Sequence, residues 1–253
     1  MVFSVQRASI WKRISAFLFD FILLGIVTVL FAFLLSAVLG YDGFANTLSQ
    51  CYDRYSAEYG VDFQMSLAQY DQLTEEGSRQ LDAAYQALGA DADAVYAYEM
   101  IMRLTLIILS VSMLLGHLSL ELLVPRLLGN GQTLGKKIFS LGVMRQDGVR
   151  LSGLSLFVRT VLGKYTIEAM APALILLMLY FGMLGLAGTI VLLLLLLLQV
   201  VLTLATHFHT PIHDLLAGTV VVDLPSQMIF DSPEAMIAYK EARQAEKAAA
   251  QPY

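Results

Sequence analysis

From Ala169 to Ala205 the chain runs for 37 residues without one charged side chain, and no water-soluble domain can hide a segment of that kind. About 20 apolar residues carry a helix across the hydrocarbon core of a bilayer, so this run is long enough for two passages. Two other runs share its character. Ile14 to Leu39 holds a single charge, Asp20, and Ile101 to Val124 holds Arg103 and Glu121 near its ends. In all three the apolar residues are clustered rather than striped at the helical period, which marks bilayer spans and not the faces of amphipathic soluble helices. The hydrophobic fraction of 57% against a charged fraction of 15% agrees, because a soluble fold could not cover that much apolar surface.

Two nearby glycines, Gly182 and Gly185, favour a reversal inside the longest run and place spans near 166–183 and 187–206. The competing reading is one long tilted helix with a re-entrant piece. Charge gives an independent check on the count, because short basic loops stay on the cytoplasmic side. Residues 1–13 carry Arg7, Lys12 and Arg13 and no acid; residues 41–100 carry eleven acids against Arg54 and Arg79, a net of −9. Residues 125–164 carry seven bases against Asp147, a net of +6. The alternation fits an inside, outside, inside path, and four spans return the C-terminus to the cytoplasm. The first run is too long for the apolar stretch of a cleaved signal peptide and contains an acid. The single Cys51 excludes an intrachain disulfide and leaves a free or intermolecular thiol in the outer loop.

The expected fold is an all-α membrane protein with four transmembrane helices, a helical extracytoplasmic insert and a small cytoplasmic β-hairpin or three-stranded element. Its segments are a cytoplasmic N-terminus (1–13), helices at 14–39, 101–124, 166–183 and 187–206, and an acidic insert (40–100). A cytoplasmic basic loop with the hairpin (125–165), a His-Asp segment with a strand (207–224) and a tail (225–253) complete it. In the insert, Asn46 to Tyr59 ends before Gly60, Thr74 suits a helix cap, and Asp91 or Asp93 suits the start of the second span. A partly mobile acidic loop is the bland alternative. Ile138 to Arg145, then Gln146-Asp147-Gly148 and Val149 to Leu151, reads as a hairpin. Gly218 to Leu224 supplies a β-branched strand after a helix started at Pro211, and Ser232 to Ala250 reads as a short exposed helix.

Three stretches together resemble the RDD family of bacterial membrane proteins, named for one arginine and two aspartates. They are Trp-Lys-Arg-Ile-Ser-Ala-Phe-Leu-Phe-Asp ending at Asp20, Gly-Asn-Gly-Gln-Thr-Leu-Gly-Lys-Lys (129–137) followed by Leu-Gly-Val-Met-Arg-Gln-Asp-Gly (141–148), and His213-Asp214-Leu-Leu-Ala-Gly-Thr-Val-Val-Val. The resemblance identifies Arg13, Asp20 and Asp214 as the naming residues. It implies an integral membrane protein with suspected transport activity, cation-for-proton exchange in one branch, and a first loop shorter than the one here.

The residues carry the same emphasis without the family. Arg13 and Asp20, seven apart, share a helix face, with Ala16 between them allowing close approach of a neighbour. Asp20 lies ~9 Å inside the first span, while His117 and Glu121, four apart on the antiparallel second span, lie ~10 Å and ~5 Å inside it. Asp20 and His117 are therefore expected to face each other. An intramembrane carboxylate must meet a partner or a water-filled cavity. Held ionised by Arg13, Asp20 is a structural clamp; titrating near neutrality, it is a proton or cation site.

The cluster His207, His209, His213 and Asp214 invites a metal reading, but Pro211 breaks the segment and histidines two apart do not share a helix face, so no metal and no cofactor is expected. Asp214 is expected to bond free backbone groups or the basic loop. That loop lacks P-loop spacing, and Lys136 and Lys137 are assigned to anionic lipid headgroups. Gln199 and Thr203 suit hydrogen bonds between helices. Enzyme motifs are absent, so no catalytic residue is assigned. Small-cation or proton-coupled transport through Arg13, Asp20, His117, Glu121 and Asp214 is the leading expectation, in a homo-oligomer of the bacterial inner membrane, with no nucleic-acid partner. The alternative is a scaffold whose insert binds an envelope protein.

Overall fold

The computed structural model describes residues 8–206 and 209–249. Helix α1 (Ile10–Leu39) runs unbroken for 30 residues. A left-handed Gly40 leads into α2 (Tyr41–Tyr59), and Gly60, at φ +66°, ends it in a conformation that costs glycine little. The short α3 (Leu67–Tyr70) precedes α4 (Glu75–Ala90), whose first turn is capped by Thr74 Oγ1 accepting from Gly77 N–H at 3.1 Å. Asp91 Oδ1 accepts from the N–H groups of Asp93 and Ala94 and so opens α5 (Ala92–His117).

Beyond His117 the helix continues with π winding, π1 (Leu118–Leu123), and then as α6 (Val124–Leu128). A loop leads to α7 (Leu134–Ile138) and strand β1 (Leu141–Arg145). The next long helix comprises α8 (Gly153–Phe157), a second π stretch π2 (Val158–Met170) and α9 (Ala171–Tyr180). A turn at 181–184, with Gly182 at φ +69°, separates α9 from α10 (Gly185–Ala205). After α10 come α11 (Ile212–Ala217), strand β2 (Thr219–Asp223) and α12 (Pro233–Ala249).

Four helices, Ile10–Leu39, Ala92–Leu128, Gly153–Tyr180 and Gly185–Ala205, are long and apolar enough to cross a bilayer. Their large side chains point outward: Phe33 is 73% exposed, Leu186 76% and Val38 81%. Apolar surface on that scale needs an apolar surround. The third of these helices begins at Gly153, well before residue 166, because its early charges are neutralised by partners that hydropathy cannot see.

The chain divides into two compact units, one built from residues up to Thr28 together with Met113 onward, the other from Val29–Ser112. In the second unit α2 packs on α4 around Cys51, Leu88 and Ala94, flanked by Leu48, Tyr52, Tyr55 and Phe63. The Phe63 ring meets those of Tyr52 and Tyr85 edge-on, each at 5.1 Å between centroids, a preferred aromatic geometry. Cys51 is therefore a buried core residue.

In the first unit β1 and β2 pair antiparallel, Val143 opposite Val221, in a two-stranded sheet. Ala16 of α1 joins Leu141, Val143 and Val221 in one buried cluster, and Met144, Val220 and Val222 form another. At the expected hairpin the turn is present, while the strand paired with β1 in the sheet is β2. The turn closes through Gly148 N–H to Arg145 O and Arg145 N–H to Val149 O, and a single bridge, Met144 to Arg150, follows. Arg150 N–H then bonds Phe230 O at 2.8 Å, beside an isolated parallel bridge from Val149 to Phe230. Ile138, expected in the hairpin, closes α7 instead.

Two contacts fix the helices of this unit. A β-carbon on Gly116 would stand 2.6 Å from Thr28 Oγ1, and one on Gly163 would stand 2.6 Å from His213 Cα. Second helix against first, and π2 against α11, thus approach closely only because glycine occupies these positions.

Candidate functional site

Ten ionisable side chains of the first unit, Arg13, Asp20, His117, Glu121, Lys136, Arg159, Lys164, Glu168, His213 and Asp214, are among those that line one cavity of about 500 Å³. Every intramembrane residue singled out from sequence lies on its wall, but with partners that differ from those expected.

Asp20 is held by the N-terminal end of α7. Its Oδ1 accepts from Gly135 N–H at 2.8 Å and its Oδ2 accepts from the Thr133 hydroxyl. Thr133 also caps α7, accepting from Lys136 N–H. Gly135 sits so close to α1 that a β-carbon would collide with Ala16 O and lie 3.0 Å from the Asp20 carboxyl. The Thr-Leu-Gly sequence is therefore a socket for one buried carboxylate, made of a hydroxyl and a free helix N–H. The expected Arg13–Asp20 clamp is not formed. Arg13 Nη2 donates to His209 O at 2.7 Å, anchoring α1 to the segment before α11. Nor does His117 bond Asp20: His117 Nδ1 is 2.7 Å from Met113 O, its own helix, and its ring meets Tyr165 edge-on at 5.7 Å.

Glu121 is 4% exposed, with Oε2 2.5 Å from Lys164 Nζ in an ion pair. Its backbone carbonyl accepts from Thr160 Oγ1 at 2.8 Å, which ties π1 to π2. Asp214, expected to bond backbone groups or the basic loop, instead takes Arg159 Nε at 2.7 Å and Thr219 Oγ1 at 2.7 Å, both on Oδ1. Arg159 and Asp214 are 1% and 0% exposed. Removing two charges from water is costly, and this geometry repays it only through short, aligned bonds.

His213 extends the pair into a chain. Burial pushes its imidazole below the ordinary value, with Asp214 opposing and Arg159 adding to the shift. The neutral ring donates from Nδ1 to Glu168 Oε2 at 2.7 Å and accepts at Nε2 from Arg159 Nη2 at 3.1 Å. Glu168 Oε1 also takes Gln199 Nε2 and His213 N–H, each at 3.0 Å. Gln199 thus does bond between helices, whereas Thr203 donates to the carbonyl of Gln199 in its own helix. Burial opposes ionisation of Asp214, but the Arg159 charge and the hydrogen bonds from Arg159 and Thr219 outweigh it and hold the carboxyl well below the usual carboxylate range.

Lys136, expected at lipid headgroups, is 7% exposed and turned inward, while Lys137 is exposed. Lys136 Nζ bonds Thr133 Oγ1 at 3.3 Å. Burial, then the nearby Lys164 and Arg159 charges, push the amine down to about 7, against the opposing pull of Glu121 and Asp20.

Arg159, Lys164 and Glu168 were not picked out from sequence; the first two were counted in a cytoplasmic loop. Spaced five and four apart, they scatter around an α-helix, and the i to i+5 bonding of π2 brings them to one side. Two charges just before the expected span at 166–183 and one just inside it are the available signal. Of the histidine cluster, His207 lies outside the described residues, His209 Nδ1 bonds Thr203 O, and no group of three potential metal ligands occurs among the described residues.

The model of the RDD family matches residues 7–218. No curated protein and no solved structure matches the chain.

Proposed function

Because the chain belongs to the RDD family and carries four helices fit to cross a bilayer, we propose that it is a proton-coupled transporter of the bacterial inner membrane, with both termini cytoplasmic. The observation that carries this reading is the cavity in which four carboxylates and four basic side chains meet. Buried ionisable groups in a membrane domain are expensive, and lining a solute path is the common reason to keep them. Lys136 supplies the coupling. Its amine exchanges a proton near neutral pH, and the carboxylates around it are already engaged by fixed donors, which favours proton exchange over capture of a small cation.

The test is lumenal pH in phosphatidylcholine vesicles containing the full chain and a pH dye. Pulses of sodium, potassium, inorganic phosphate or lysophosphatidate are applied in turn. The reading expects a pH response to at least one that empty vesicles lack and that Lys136→Gln abolishes. No response to any of them contradicts it.

A second reading rests on the second unit, which has its own aromatic core and contains the acidic residues 41–100, with their net charge of −9. As an extracytoplasmic scaffold it would lose capture of an envelope partner on deletion of residues 45–95, with vesicles silent throughout.

A further inference from the structure

We propose that the cavity binds a single-chain amphipathic anion, its phosphate or carboxylate head at Lys136 and Arg159 and its apolar body against Phe17, Phe21 and Leu195. The proposal names the cargo of the transport reading and rests on that reading for movement across the bilayer, though not for binding.

Size is the first argument. A proton or a small dehydrated ion needs little more room than a water molecule, roughly 30 Å³, whereas the cavity measures about 500 Å³. Sites of about 300–1,000 Å³ with mostly apolar walls and a few polar groups suit organic molecules. Here Phe17 and Phe21 of α1 and Leu195 of α10 line the same cavity as the charged groups.

The second argument is which polar groups remain open. Arg159 Nη1 is buried without a hydrogen-bond partner, and the side chain is 1% exposed. Lys136 Nζ holds only the hydroxyl of Thr133 among the described residues. Most of the acceptors, by contrast, are engaged. Asp20 takes two donors and Glu168 three. Of the two carboxylate oxygens without a hydrogen bond, Glu121 Oε2 is ion-paired with Lys164 Nζ at 2.5 Å, and Asp214 Oδ2 is left open, because the neutral His213 has no proton on the Nε2 that stands 3.5 Å away. Lys136 and Arg159 Nη1 thus offer more unused donors than the single open acceptor on Asp214, which favours an anion.

An anion beside Lys136 favours its ammonium form. Lys164 and Arg159 from the third membrane helix repel that form, and Glu121 and Asp20 from the second and first attract it. Binding of a monoanion draws one proton onto the amine, so the pair enters without net charge, and binding tightens as pH falls through the range in which the free amine titrates.

The test is photolabelling of the full chain in phosphatidylcholine vesicles with a diazirine-tagged lysophosphatidate, competed by untagged lysophosphatidate, a single-chain carboxylate, monoacylglycerol of the same chain length, or inorganic phosphate. The label is expected on cavity-lining residues of α1 and α10. The two anionic amphiphiles should compete about tenfold better than monoacylglycerol or inorganic phosphate, and Lys136→Gln should erase that preference. Equal competition by monoacylglycerol removes the anion site, and equal competition by inorganic phosphate removes the apolar subsite. Labelling scattered outside the cavity also overturns the proposal. The ligand comparison on unaltered protein decides even if the variant does not fold. Selective labelling with silent vesicles sinks the transport reading alone; a vesicle response without selective labelling sinks this inference alone.

Discussion

Arg159 Nε donates to Asp214 Oδ1 at 2.7 Å across a separation of 55 residues, and neither side chain meets solvent. This pair clamps π2 to α11, the two elements that Gly163 allows into contact. Removing one member strands a buried charge at a cost of about 3–5 kcal/mol. Arg159→Met or Asp214→Asn should therefore lower the unfolding temperature of the solubilised protein sharply. The double change Arg159→Met with Asp214→Leu should cost less than the two single effects added. Because the Asp214 carboxyl titrates below its ordinary 3.8, its contribution is intact above that pH and is lost as pH falls through the native-state value.

Gly135→Ala tests the socket for Asp20. The added carbon must displace the Ala16 carbonyl or the Asp20 carboxyl, and backbone cannot yield as a flexible side chain can. A loss of about 1–3 kcal/mol is expected. Gly89→Ala, where nothing lies within 4 Å, is the comparison: in the last turns of α4 it should be neutral or stabilising by up to about 1 kcal/mol. Thermal unfolding of the two variants side by side measures both.

Cys51 is 5% exposed, and burial, with Asp91 adding, pushes its thiol above the ordinary value. The thiolate is the reactive form. Alkylation by iodoacetamide should be slow in the native protein and should accelerate in Leu88→Ala, which opens the same core. Rapid alkylation of the unaltered protein would contradict the packing of α2 on α4.

The four apolar helices and the family were legible because both are written in contiguous stretches: hydropathy in runs, the motifs in short blocks around Asp20, Gly135 and His213-Asp214. The partners were not. Asp20 was matched with Arg13 on the assumption that neighbours on one helix face pair, yet a hydroxyl and a backbone N–H from the start of α7, more than a hundred residues away, hold it. Backbone donors leave no compositional trace. Arg159 and Lys164 looked like positive-inside charges because hydropathy scores a residue without its counterion. The π winding that aligns them with Glu168 has no signal in a 3.6-residue period. Lys136 beside Lys137 looked like one basic surface, though a single residue step turns one inward and the other outward.

Lys136 also leaves a mark on stability. Its amine is pushed from 10.5 to about 7 in the native state. Between those values the unfolded chain binds the extra proton, so stability rises with pH across that window and is flat below it. Urea unfolding of the solubilised protein at several pH values should show the rise, and Lys136→Met should flatten it.

The most direct test is a nitrogen NMR titration of Lys136 Nζ in the reconstituted protein, assigned by comparison with Lys136→Gln. A midpoint of about 7 is expected. A midpoint at the ordinary lysine value, about 10.4, would mean a permanently charged amine and would contradict a proton-exchanging cavity.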